Sequence, residues 1–206
     1  MDLPMFPLHT VLFPGQRLDL RVFEERYRSL LDDVLPHGPF AIAAIRHGAE
    51  VGGPADPYRV GVAVEIEVAE VEDDDAWRLA VRATERIALL VPREGRPYPR
   101  WDTAVYPDEG GAGTDDVEAA LVALGRYLAA TGERGAHPVV PHRPVEASWA
   151  RAAAAPGLLP ARQALLEVPG AGERLHRVRD LFDEETRLVR ALGAGLGGAD
   201  PVVSPN

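Results

Sequence analysis

FPLHTVLFPGQRLDLRVFEERY, residues 6–27, changes pattern several times within its length. It opens with prolines and large apolar residues, turns at Pro14–Gly15, and resumes as a short extended piece through Leu18 and Leu20. From Glu24 the period becomes helical. Tyr27, Leu30, Leu31 and Val34 fall at i, i+3, i+4 and i+7, one face of a helix. Glu24 and Glu25 sit in the first turn, where the helix dipole favours acids. Pro36 and Gly38 stop the helix. The stretch therefore reads as strand, turn, strand, helix.

Working outward, FAIAAI at 40–45 predicts a short apolar strand, and the Gly/Pro-rich residues 47–58 a loop. Residues 60–72 alternate. Val60, Val62, Val64, Ile66 and Val68 face one way, and Glu65 and Glu67 the other. Parity shifts at Val71, which predicts a bulge or strand end after Val68. Asp73, Asp74 and Asp75 form a turn. Leu79, Val81 and Ala83 then alternate against Arg78 and Arg82, so the hairpin sets an acidic solvent face beside a basic one. Ile87, Leu89 and Val91 read as a further strand closed by Pro92. PYPRWDTAVYP at 97–107 reads as a proline-flanked edge strand.

Composition changes at PDEGGAGTDD, residues 107–116, read as a flexible acidic linker. Helices follow: one carrying Val117, Leu121, Leu124 and Leu128, an Ala-rich one at 145–155, a short one at 160–168, and a long one at 172–192 with a broad apolar stripe. The segment 193–206 shows no periodicity. Strands first and helices second argue for an α+β class. The expected division is a β-rich domain at 1–110, a helical domain at 111–194 and an unstructured tail at 195–206.

The bulk chemistry excludes several functions. The 206 residues are 46% hydrophobic and contain no cysteine. Disulfides, thiol catalysis and Cys-based zinc sites are ruled out. All 22 basic residues are arginine. Without lysine there is no Ser–Lys dyad, Schiff base or P-loop lysine. No apolar run reaches the roughly 18 residues of a membrane span. No signal peptide is evident, and a soluble cytoplasmic protein is the expectation. The net charge of −10 disfavours nucleic acid and anionic membrane, although Arg78, Arg82 and Arg86 together would make a basic stripe.

The serines are Ser29, Ser148 and Ser204, two in predicted helices and one in the tail, so none sits on the exposed turn a Ser hydrolase needs. His137 and His142 bracket HPVVPH but lack further metal ligands, and the Asp73–Asp75 triplet lacks calcium-loop spacing. No catalytic residue, metal ligand or cofactor is expected. Phe23 and Tyr27 read as core residues, with the neighbouring charges on the surface. The functional alternative places those charges beside a groove for extended peptides.

Residues 6–31 resemble the opening signature of the Lon N-terminal, substrate-binding domain family. The matching positions are Phe6, Pro7, Leu8, Val11, Leu12, Phe13, Pro14, Gly15, Leu18, Leu20, Phe23, Glu24, Arg26 and Tyr27. The likeness runs on through the strand and Gly-rich loop at 40–53, the hairpin, the 97–107 strand and the helical half of stand-alone bacterial members, to about residue 192. The chain departs from the family pattern at Gly61-Val62 and at Ala83-Thr84-Glu85-Arg86-Ile87.

The resemblance implies an antiparallel PUA-like pseudo-barrel followed by a helical bundle. It implies a non-catalytic, ATP-independent module that binds unfolded protein or peptide segments and serves as an adaptor to a protease or chaperone. The peptide-binding candidates are Glu24, Glu25, Arg26, Tyr98 and Trp101. The alternative is a PUA-like binder of RNA or a small ligand.

Overall fold

The structure, a computed structural model, describes residues 1–35, 38–72, 75–132, 141 and 143–196, with side chains as far as residue 192. His37, Asp73, Asp74, His137 and His142, and the tail beyond Leu196, lie outside the described residues. The opening stretch forms β1 (Asp2–Leu8), β2 (Arg17–Val22) and α1 (Glu25–Val34). Then come β3 (Phe40–Gly48), β4 (Ala55–Pro57), β5 (Val60–Val71), β6 (Trp77–Arg93) and β7 (Arg100–Val105). The remaining elements are α2 (Thr114–Thr131), α3 (Pro144–Ala154), α4 (Leu159–Glu167) and α5 (Ala171–Leu196).

β1, β7, β6, β5 and β3 are bonded in that order, and β3 bonds back to β1, closing a ring. Every pairing is antiparallel except β1 with β3, which is parallel from Met5 opposite Ala41 to Leu8 opposite Ala44. That closure needs a crossover, which α1 supplies. Gly61 lets β5 approach β3: a Cβ there would sit 2.4 Å from the Ile42 carbonyl oxygen. Beyond Ile66 the outer edge of β5 has no strand partner among the described residues.

β6 is one strand of 17 residues where the sequence read two. Trp77, Leu79, Val81, Ala83, Ile87, Leu89 and Val91 share one parity, so nothing interrupts the strand. Its first half pairs with β2 and its second with β7, while β5 runs along the other side. Pro92 does not end it, because a register shift between Leu89 and Val91 absorbs the proline opposite Trp101. β7 is interior, held between β6 and β1, and not an edge. The β5 irregularities come before Val68, at Ala63/Val64 and Ile66/Val68. β4, inside the segment read as a loop, pairs with the end of β3. α5 continues past Leu192 to Leu196.

Two apolar clusters fill the molecule. The smaller takes Leu3 and Met5, Ala41 and Ala43, Ala63, Ile87 and Leu89, and Trp101, so every strand of the ring contributes. Its three alanines leave room for one indole. The larger begins on α1 and the opposite faces of β1 and β3 and runs unbroken into Trp149, Leu165, Val178 and Phe182 of the helices. Residues 107–113 are held, not loose. Glu109 N–H donates to the Pro169 carbonyl at 2.9 Å, and Gly113 N–H to Asp116 at 3.0 Å.

Candidate functional site

The start of α1 is built to hold a neighbouring loop. Glu24 takes the N-cap position but does not cap its own helix. Its carboxylate accepts from Gly52 N–H at 3.1 Å and from Arg26 Nε at 3.1 Å. Arg26 then donates to the carbonyls of Gly53 (3.2 Å) and Glu50 (3.3 Å), with its guanidinium 4.5 Å from the Tyr27 ring centroid. The Glu50 carboxylate accepts from His9 N–H at 2.7 Å. These bonds strap residues 50–53 across the strand-to-helix corner.

Between the strap and β2 lies a slot of about 210 Å³. Phe6, Leu8, Leu20, Val22 and Tyr27 are its buried lining; Phe23, Val51, Asp19, Arg21, Glu24 and Glu50 stand around them. Phe23 was expected in the core with Tyr27, yet it is 49% exposed, because the chain turns from β2 into α1 at that residue. Val51 is 56% exposed. Tyr27 is fully buried and stacks on Phe6 at 4.1 Å; its hydroxyl has no partner, and burial pushes its pKa up to about 12.

The structure does not bring the five sequence candidates together. Glu24, Glu25 and Arg26 share the corner, with Glu25 exposed. Tyr98 is only 4% exposed and donates its hydroxyl to Asp33, on α1's far end. Trp101, 6% exposed, is the indole inside the ring, with Arg59 4.6 Å from its centroid. The Arg78, Arg82 and Arg86 stripe does not form either. Arg82 binds Glu67 at 2.6 Å, Arg78 lies 3.4 Å from Glu70, and Arg86 is buried.

A second and larger concavity, about 930 Å³, opens between the turn at 14–16, β6 and α3. Residues 14–16 and 82–84 form one wall. Val145, Ala150 and Ala153 of α3 form the other, with Trp149 among the lining residues. The Phe-Pro-Gly turn sets this geometry. Gly15, at φ +85°, donates its N–H to the Ala83 carbonyl at 2.8 Å, which fixes the turn against β6. Phe13 is thereby driven into the helical half, its ring 6.2 Å from Trp149 and 5.2 Å from the Arg162 guanidinium.

Beside Trp149 lie two buried arginines: Arg86, read in the sequence as part of a surface stripe, and Arg174, which the sequence did not single out. Arg86 Nη1 donates to the carbonyls of Leu166 (2.8 Å) and Val168 (2.6 Å); its Nε and Nη2 donate to Tyr106 O (3.0 Å) and Pro107 O (2.8 Å). Arg174 donates to Ser148 Oγ (2.6 Å), Val168 O (3.0 Å) and Asp108. Asp108 also faces Arg86 at 3.4 Å and accepts from the Trp149 indole at 3.2 Å. Two guanidiniums thus share one carboxylate, and burial pushes Arg174 down to about 10. The hydroxyl of Ser148 is committed here, donating to the Val145 carbonyl at 2.7 Å. Among the described residues no group of three His, Asp or Glu is placed to hold a metal ion.

The family model for the ATP-dependent protease La (LON) substrate-binding domain matches residues 2–184. The chain belongs to this family. Lon protease 1 of Bdellovibrio bacteriovorus is 27% identical over 124 residues, which is 59% of this chain and 16% of that protein. The Lon N-terminal domain protein of Xanthomonas campestris superposes with a TM-score of 0.66 at 26% identity, covering 86% of this chain and 96% of that one. The N-terminal domain of the Mycobacterium avium complex Lon protease gives a TM-score of 0.68 over 89% of this chain and 99% of that one; at 16% identity it speaks for the fold alone. The α+β architecture described above is therefore that of Lon substrate-binding domains. Among the described residues no helix of this Lon-family chain is long and apolar enough to cross a membrane.

Proposed function

We propose that the protein is a non-catalytic module that captures unfolded protein segments and presents them to a proteolytic system. The observation that carries the reading is the 930 Å³ groove between β6 and α3, walled by alanines and Val145 and set by the family's Phe-Pro-Gly turn. It has the open form and mixed lining suited to a segment held by shape and apolar contact instead of by one charged anchor. Family membership supports a substrate-binding role, and the absence of lysine together with the buried, committed Ser148 supports the lack of chemistry.

The test is fluorescence anisotropy with a labelled, permanently unfolded protein such as a reduced and carboxymethylated one. Wild type binds it, and Ala150→Glu with Ala153→Glu weakens binding by about ten-fold, because a carboxylate enters an apolar wall. If wild type binds no unfolded chain at high micromolar concentration, or the double variant binds as well as wild type, the groove is not the site.

A further inference from the structure

The slot at the β2–α1 corner has features the groove lacks. Buried walls of Phe6, Leu8, Leu20 and Tyr27 meet an exposed lip of Phe23 and Val51. The charges around it are mostly acidic: Asp19, Glu24 and Glu50 line it, and Glu25 is exposed one residue beyond Glu24. Arg21 also lines it and Arg26 is near; Arg21 is bonded to Glu72 at 2.8 Å and Arg26 to Glu24 at 3.1 Å, so Asp19, Glu50 and Glu25 carry the excess negative charge. Independently, Tyr27 carries its buried, unpartnered hydroxyl among the lining residues. Unpaired buried donors are rare in folded chains, and a seated backbone carbonyl is a suitable acceptor.

β2 links the two concavities. Gly15 and Gln16, just before it, line the groove, and Asp19, Leu20 and Val22, within it, line the slot. β2 is bonded to β6 along one edge, and no strand pairs with its other edge among the described residues. At about 3.3 Å per residue, an extended segment of some six residues spans its length.

We infer that the corner slot is a specificity pocket for one bulky apolar side chain directly followed or preceded by Arg or Lys, on an extended segment laid along β2. The inference rests on the peptide-capture reading above and adds the class of segment. The volume suits a single large side chain. The acidic surround pairs the basic neighbour, and the overall charge of −10 draws basic segments toward the surface.

The experiment compares three labelled ten-residue peptides in an otherwise Gly/Ser background, containing Phe-Arg, Phe-Glu or Ala-Arg. Phe-Arg binds about ten-fold tighter than either of the others, the ratio expected from one filled apolar pocket or one complementary charge. Asp19→Lys abolishes the preference for Arg over Glu, and Val51→Trp, which obstructs the lip, abolishes the preference for Phe over Ala. Both positions are exposed, and unchanged thermal unfolding confirms that the variants are folded. Equal affinity for the three peptides, or preferences that survive both substitutions, overturns the proposal. If the unfolded protein still binds and still depends on Ala150 and Ala153, only the slot falls. If nothing binds wild type, both readings fall together.

Discussion

Replacing Asp108 by alanine removes the one carboxylate shared by Arg86 and Arg174. Both guanidiniums are buried, so water cannot take its place freely. Most of their hydrogen bonds survive, since Arg86 keeps the carbonyls of Tyr106, Pro107, Leu166 and Val168, and Arg174 keeps Ser148 and Val168. The loss is therefore chiefly uncompensated charge, for which breaking a buried pair costs about 3–5 kcal/mol. Asp108 itself is 19% exposed, which places the expectation near the lower end, about 3–4 kcal/mol. With a urea slope of about 2 kcal/mol/M, the unfolding midpoint falls by roughly 1.5–2 M. The double variant Asp108→Leu with Arg174→Met, which removes a charge of each sign, recovers much of the loss. Equilibrium urea unfolding followed by tryptophan fluorescence reads both. A midpoint change equivalent to less than about 1 kcal/mol would show that the carboxylate acts only as a surface ion pair.

Two further outcomes follow from buried polar groups. Arg151 on α3 is 1% exposed, its Nε and Nη2 have no partner, and burial holds its pKa below the usual arginine value. Arg151→Leu therefore stabilises the protein, by about 1–3 kcal/mol in the same urea titration; destabilisation would mean that the side chain is satisfied. The Tyr27 pKa is raised in the folded state to about 12, so its contribution to stability is complete below pH 10 and is lost as pH climbs toward 12. Tyr27→Phe shows a shallower alkaline loss of stability in thermal melts between those pH values, and an unchanged slope would refute the assignment.

The sequence was most legible where one period governed a segment. The helix at Glu25–Val34, the strand at Val60–Val71 and the last helix all follow from spacing alone. It was least legible where tertiary cover decides. Arg86 shares parity with the exposed Arg78 and the half-buried Arg82, so alternation assigns it to the wet face. Only the arrival of the α4 end and residues 106–108 buries it. Trp101 and Tyr98 were peptide-binding candidates on a proline-flanked stretch that read as an edge. Ring closure through β1 places Trp101 inside the ring. Phe23 went the other way, since a residue between two elements follows neither period. The corner residues Glu24 and Arg26 were identifiable as a cluster, but their task of strapping residues 50–53 needs a contact across more than twenty positions that spacing cannot show.

The unpaired outer edge of β5 also bears on how copies of this chain meet one another. Past Ile66 no strand pairs with it among the described residues, and the exposed Val68 and Val71 stand there, a combination that invites like strands to zip together. Glu65, Glu67, Glu70 and Glu72 are interleaved with those valines. Arginines of the same molecule hold three of them: Arg17 and Arg82 pair with Glu67, Arg78 with Glu70, and Arg21 and Arg78 with Glu72. A second β5 laid alongside would therefore meet a row of ion pairs that its approach has to desolvate, and charged side chains on a strand edge oppose edge-to-edge pairing.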